Sequence, residues 1–133
     1  MLGVITMVAA CAGRPDDPES QLRQAVSELQ GAIESKSTDQ VMEHVADDLR
    51  GRGGIDRDSL RRLLVLHFLR NQSIGVTLGP MQVQLQVPRA EIRVQAILTG
   101  ADGWIPQRAG GYAVLTKWRL QDDQWLLEYI EWQ

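Results

Sequence analysis

The stretch from Gly111 to Trp132, G-Y-A-V-L-T-K-W-R-L-Q-D-D-Q-W-L-L-E-Y-I-E-W, constrains this chain more than any other. Tyr112, Val114, Thr116, Trp118 and Leu120 recur at every second position, the period of a half-buried strand. Gln121-Asp122-Asp123-Gln124 supplies a tight turn, and Trp125 to Trp132 reads as a returning strand with apolar residues on both faces. The hairpin holds both tyrosines and three of the four tryptophans. A lone hairpin is marginal in water, so these aromatics require further strands and a covering layer.

The rest of the chain supplies both. Pro18-Glu19-Ser20 opens a helix, with acid where a helix N-terminus favours it, and Leu22, Ala25, Val26, Leu29, Ala32 and Ile33 form one apolar stripe. After Ser35-Lys36-Ser37, Thr38 is expected to cap a second helix striped by Val41, Met42, Val45 and Leu49. Arg50-Gly51-Arg52-Gly53-Gly54-Ile55 is a glycine-rich connection, read as a turn or short edge strand with positive-φ positions. It lacks a preceding apolar strand and a Gly-Lys-Ser/Thr ending, so it is not a phosphate-binding loop. Asp56 or Asp58 then caps a third helix, Ser59 to Asn71, in which Leu60, Leu63, Leu64, His67 and Phe68 share a stripe. Val65, Leu66 and Leu69 widen that stripe, so this helix is expected to be buried on more than one side.

From Ile74 the period changes to two. Val76 and Leu78 alternate, Gly79-Pro80 interrupts, and Met81, Val83, Leu85 and Val87 resume in shifted phase, with glutamines at 82, 84 and 86 opposite. A Gly-Pro pair in such a run marks a kink or bulge. Ile92, Val94, Ala96 and Leu98 make the next strand, and Thr99 to Gly110 reads as a long loop carrying Trp104. The whole is an α+β layout: three N-terminal helices packed on a curved antiparallel β-sheet.

With 133 residues, 44% hydrophobic and 23% charged, the chain is one ordinary globular domain, and its net charge of −3 argues against nucleic acid as a partner. A single cysteine, Cys11, allows no internal disulfide, and two histidines, His44 and His67, make no metal-binding cluster, so neither a metal nor a cofactor is expected. His44 falls off its stripe and is expected to be exposed; His67 sits within one, as a pocket residue or, preferably, a core-edge imidazole satisfied by one hydrogen bond. Arg50, Arg52, Arg57, Arg61 and Arg62 crowd one junction, where they could face anionic headgroups, although a solvated helix end is the ordinary explanation.

Residues 1–10 are uncharged, mostly apolar and end in small residues, like the distal part of a secretory signal. Val8-Ala9-Ala10-Cys11 resembles the lipobox of bacterial lipoproteins, in which the cysteine becomes the lipidated N-terminus of the mature protein. Valine stands where that pattern prefers leucine. The resemblance implies residues 1–10 as a signal remnant with lipobox, residues 11–18 as a polar tether, and residues 19–133 as the domain. It implies a membrane partner through a lipid on Cys11 and a place in the cell envelope. Ala12, in place of an aspartate, implies the outer membrane facing the periplasm.

The element order, together with Trp118, Leu120, Asp122-Asp123 and Trp125, resembles the nuclear transport factor 2-like (SnoaL-like, cystatin-like) superfamily, whose sheet wraps a helical layer into a cone. The likeness spans Ser20 to Trp132 and implies a fold that hosts many unrelated roles. A cone lined by Phe68, Trp104, Tyr112 and Trp118, with His67 near, would suit a hydrophobic small molecule. Members that isomerise or dehydrate use a carboxylate inside the cone. Here Glu91 lies in an outward phase, Glu128 and Glu131 have no clear phase, and no acid pairs with His67 and Tyr112, so no catalytic residue is assigned. The expectation is a non-catalytic binder of a hydrophobic ligand or a partner protein, with an isomerase- or dehydratase-type enzyme and a homodimeric interaction module as alternatives.

Overall fold

A computed structural model describes Gly3 and residues 17–100, 103–104 and 111–133. Helix α1 (Pro18–Glu34) is capped by Asp17, whose side chain accepts from the Ser20 amide, and it carries proline in its first turn. It ends in a Schellman arrangement, with Ser37 donating to the Ala32 carbonyl and Lys36 to that of Ile33, Lys36 standing at φ 58°.

The second helical expectation is corrected. Helix α2 covers only Thr38–Met42, capped by Ser37 rather than Thr38, and Val45–Gly51 is strand β1. Val45 and Leu49 are four apart, a spacing that places them on one face of a helix and equally on one face of a strand. Partnering decided between the two, because β1 finds an open edge at the last strand. The three helices are therefore not contiguous: β1 separates α2 from α3 (Arg57–Arg70). In the connection Gly53 and Gly54 take φ 78° and 82°, and Asp56 caps α3 in a reciprocal capping box with Ser59.

Strands β2 (Ile74–Leu78), β3 (Gln82–Gln86), β4 (Arg89–Gly100), β5 (Gly103–Trp104), β6 (Tyr112–Gln121) and β7 (Gln124–Trp132) complete the sheet. The order is β1-β7-β6-β4-β2, with β3 and β5 also paired to β4. The Gly79-Pro80 break does what its chemistry suggests. β3 pairs with Arg89–Arg93 and β2 with Ala96–Gly100, so one long strand serves two short ones. Two expectations fail here. The sheet is not wholly antiparallel, since β1 joins β7 in parallel, and the stretch taken as a loop from Thr99 contributes the end of β4 and a two-residue β5.

The β6–β7 hairpin forms as its alternation requires, turning on Asp122 and Asp123 at φ 53° and 62°. Thr116 faces Ile130 and Trp118 faces Leu127, with Lys117 opposite Tyr129, so Glu128 is the extra residue of a bulge. The bulge explains why β7 looks apolar on both faces in the sequence. Trp125 and Leu127 before it, and Ile130 and Trp132 after it, face inward together.

The inner face and helices enclose two adjoining apolar clusters. The larger holds Leu22, Leu49, Ile92, Trp118, Trp125 and Leu127; the smaller joins Ala32, Val41, Phe68, Ile74 and Val76. Side chains of α1 also cover the β2 edge, where Gln30 Nε2 donates to the Val76 carbonyl (2.7 Å) and Glu34 Oε2 accepts from the Val76 amide (3.0 Å). Lys36 Nζ donates to the Asn71 carbonyl (2.6 Å), tying the end of α1 to the end of α3. Helix α3 departs most from expectation. It buries only Leu60 and Phe68, while Val65, Leu66 and Leu69 are exposed, because the sheet offers it one contact face and not two.

Candidate functional site

The expected pocket residues fall in different parts of the fold. Phe68 belongs to the smaller cluster and Trp118 to the larger. Trp118 Nε1 donates to Thr116 Oγ1 (2.9 Å), whose hydroxyl donates in turn to the Ile92 carbonyl (3.3 Å). Tyr112 is half-buried at the start of β6, opposite Ala96. The backbone of Trp104 pairs with Thr99; its side chain lies outside the described residues. His67 is exposed, because α3 turns that side of the helix to solvent. Cys11 lies outside the described residues.

The inner side of the sheet carries the most deeply buried side chains among the described residues. Trp118 is 1% exposed, Trp125 2% and Leu22 and Leu49 0%, and no polar or charged residue is buried among the described residues. The carboxylates with no clear phase in the sequence, Glu128 and Glu131, belong to the outer side. Arg119 bridges Asp48 (2.8 Å) and Glu128 (3.6 Å), and Arg89 also pairs with Glu128. The hydrogen bond from Arg119 holds the Asp48 carboxyl below its ordinary pKa. Glu131 accepts from the Tyr129 hydroxyl (2.8 Å), which raises the phenol's pKa because the bond is lost on ionisation. The bulge decides this, by placing Glu128 where two arginines reach it.

Two recesses lie on the surface of the described residues. The first, about 220 Å³, opens between α1 and the hairpin tip and is lined by Gln21, Gln24, Glu28, His44, Asp123 and Trp125, among others. His44 is half-buried, against the expectation of exposure, because it leads into β1 rather than riding on a helix. Its carbonyl accepts from Leu127, and its Nδ1 is buried without a protein partner. This is where an imidazole and two carboxylates line one recess, a signal that the sequence hid by placing the three groups far apart in the chain. The second recess, about 300 Å³, is a trough on the outer face of the sheet, lined by residues including Gln82, Arg93, Gln95, Leu115, Glu131 and Gln133. Among the described residues no cluster of histidine, cysteine or carboxylate side chains could hold a metal ion.

No family model matches the chain, and no curated protein does. Solved structures match over most of its length. Bd1075 of Bdellovibrio bacteriovorus superposes with a TM-score of 0.75 at 12% identity, over 87% of this chain. A nuclear transport factor 2-like protein of unknown function from Pseudomonas putida superposes with a TM-score of 0.72 at 14% identity, over 87% of this chain and 85% of that one. A cystatin-like protein of unknown function from Nostoc punctiforme gives 0.68 at 13% identity, over 86% of this chain and 88% of that one. The chain has the nuclear transport factor 2-like fold. It spans only 40% of Bd1075, so in that protein the fold is one part of a longer chain. At these identities the likeness extends to the fold and no further, and function must be argued from the surfaces just described.

Proposed function

We propose that this nuclear transport factor 2-like domain is a non-catalytic binding module of the bacterial cell envelope that engages a partner protein through its surface. The observation that supports this reading is where the surface recesses lie: Trp118, Leu22, Leu49 and Ile92 are fully buried together, whereas the outer face of the sheet carries an open trough. Among the described residues no carboxylate or imidazole belongs to a fully buried residue, which favours binding over an isomerase- or dehydratase-type reaction in the interior. The outer trough supports the surface reading, since Arg93, Glu131 and glutamine amides around Leu115 pair a small apolar centre with a polar rim. The domain is carried on a lipid at Cys11, on the outer membrane and facing the periplasm, through the tether that precedes α1.

The test is site-specific photo-crosslinking in the intact envelope, with a photoreactive residue at Gln82 or Gln95 and a control at Gln24 on the opposite side. A discrete protein adduct from the trough positions alone is expected. Adducts equal at all three positions, or a hydrophobic small molecule co-purifying in one-to-one amount, would overturn the reading. For the anchor, Cys11→Ser should release the protein from the membrane fraction, and unchanged fractionation would reject it.

A further inference from the structure

Helix α3 turns an apolar patch to solvent. Val65 is 38% exposed, Leu66 43% and Leu69 81%. Val65 and Leu69 are one turn apart with Leu66 beside them, so the three form a continuous strip along the C-terminal half of the helix. Arg62 borders it on one side and Arg70 on the other, both exposed, and neither is held in an ion pair among the described residues. The remaining arginines of α3 are engaged elsewhere: Arg57 lies 3.8 Å from Asp47 and Arg61 3.4 Å from Asp39. The helix holds four arginines and a single acid, Asp58, in a chain whose net charge is −3, and the two arginines outside those pairs, Arg62 and Arg70, stand at the two ends of the apolar strip.

Arg70 can be explained by the negative end of the helix dipole. That explanation does not reach Arg62 or the leucines. Exposed aliphatic side chains flanked by uncommitted guanidinium groups match an anionic lipid surface: the aliphatic groups enter the headgroup–acyl boundary and the guanidiniums bind phosphate. A second copy of the chain fits less well, because three side chains are far fewer than the roughly 20–30 residues a side of a stable protein interface. We propose that α3 docks the domain on anionic phospholipid through Val65, Leu66 and Leu69, with Arg62 and Arg70 on the headgroups. This contact is separate from the lipid on Cys11 and from the outer trough, and it orients the domain on the membrane.

The experiment is co-flotation of the full chain with vesicles of phosphatidylethanolamine and phosphatidylglycerol, compared with vesicles of phosphatidylcholine alone. Any binding by residues outside α3 is common to all variants, so the differences between variants carry the result. Wild type is expected to float with the anionic vesicles and to detach as salt rises. Leu66→Ser with Leu69→Ser should reduce binding more than tenfold, and Arg62→Glu with Arg70→Glu should remove the preference for anionic lipid. All four side chains are exposed, so both variants should keep the wild-type circular dichroism and melting temperature. If one does not, the other still decides. Equal binding by wild type and both variants, or no preference for anionic vesicles, would refute the proposal. So would a dimer that the serine variant dissolves, in the absence of vesicle binding.

Discussion

Trp125 is the point at which the hairpin and the first helix are joined, and shortening it gives the sharpest test of the packing. The indole is 2% exposed within the larger cluster, and its Nε1 donates to the Pro18 carbonyl at 3.0 Å, across 107 residues of sequence. Trp125→Ala removes the ring and leaves a cavity that helix and hairpin, each held by other contacts, cannot close. Such changes cost about 3–5 kcal/mol. In a domain of this size that corresponds to a fall in melting temperature of roughly 10–20 °C, and it is a large share of the ~5–15 kcal/mol by which domains are stable. Trp125→Phe keeps most of the apolar volume and loses the hydrogen bond, at about 2 kcal/mol in all. Urea unfolding followed by circular dichroism measures both, and amide exchange at Ser20 and Gln21 shows whether the start of α1 loosens before the rest. An alanine variant within about 1 kcal/mol of wild type, or a phenylalanine variant as damaging as alanine, would refute the claim that this ring holds the two elements together.

Other expectations concern charges and the backbone. Asp48 and Asp56 have depressed pKa values, the first through the hydrogen bond from Arg119 and the second through the Ser59 amide and hydroxyl. Because the folded-state values lie below the unfolded ones, the stability they contribute is present above the ordinary aspartate pKa of about 3.9 and is lost as pH falls through the lower folded values. Thermal melts from neutral pH downward should therefore show Asp48→Asn converging on wild type in acid, and a constant gap would count against the Arg119 contact. Asp56→Ala removes one side of the capping box on α3 and should lower the midpoint of a denaturant titration; no change would mean that the cap contributes nothing. Gly111 stands at φ 77°, with the Ala96 carbonyl oxygen only 2.4 Å from where a Cβ would be, so Gly111→Ala should cost more than about 1 kcal/mol. A neutral result would show that the entry to β6 can shift freely.

Local chemistry in the sequence carried much of the fold. The alternation from Tyr112 to Leu120, the Asp122-Asp123 turn, the break at Gly79-Pro80, the stripe of α1 and an aspartate cap on α3, Asp56 of the two candidates, each depend on neighbours a few residues away, and each appears where those neighbours place it. The expected pocket was legible only as a set of aromatic residues. Phe68 and Trp118 fall in separate clusters, Trp118 beside Leu22, Leu49, Ile92 and Trp125, and those neighbours are scattered along the chain.

Tertiary structure alone decided the rest. Val45 and Leu49 satisfied both helical and strand periods, and only the open edge of β7 selected a strand. The bulge at Glu128, which changes the inward phase of β7 and puts that carboxylate beside Arg89 and Arg119, is invisible to a period-two pattern. The apolar residues of α3 announced a buried helix, yet the sheet could cover one side and left Val65, Leu66 and Leu69 in water. By itself the sequence determined which residues need burial and where the backbone must turn, since propensity and periodicity act within a few residues. It could not determine which of those residues receive a partner, because that depends on how many faces the assembled sheet has to offer.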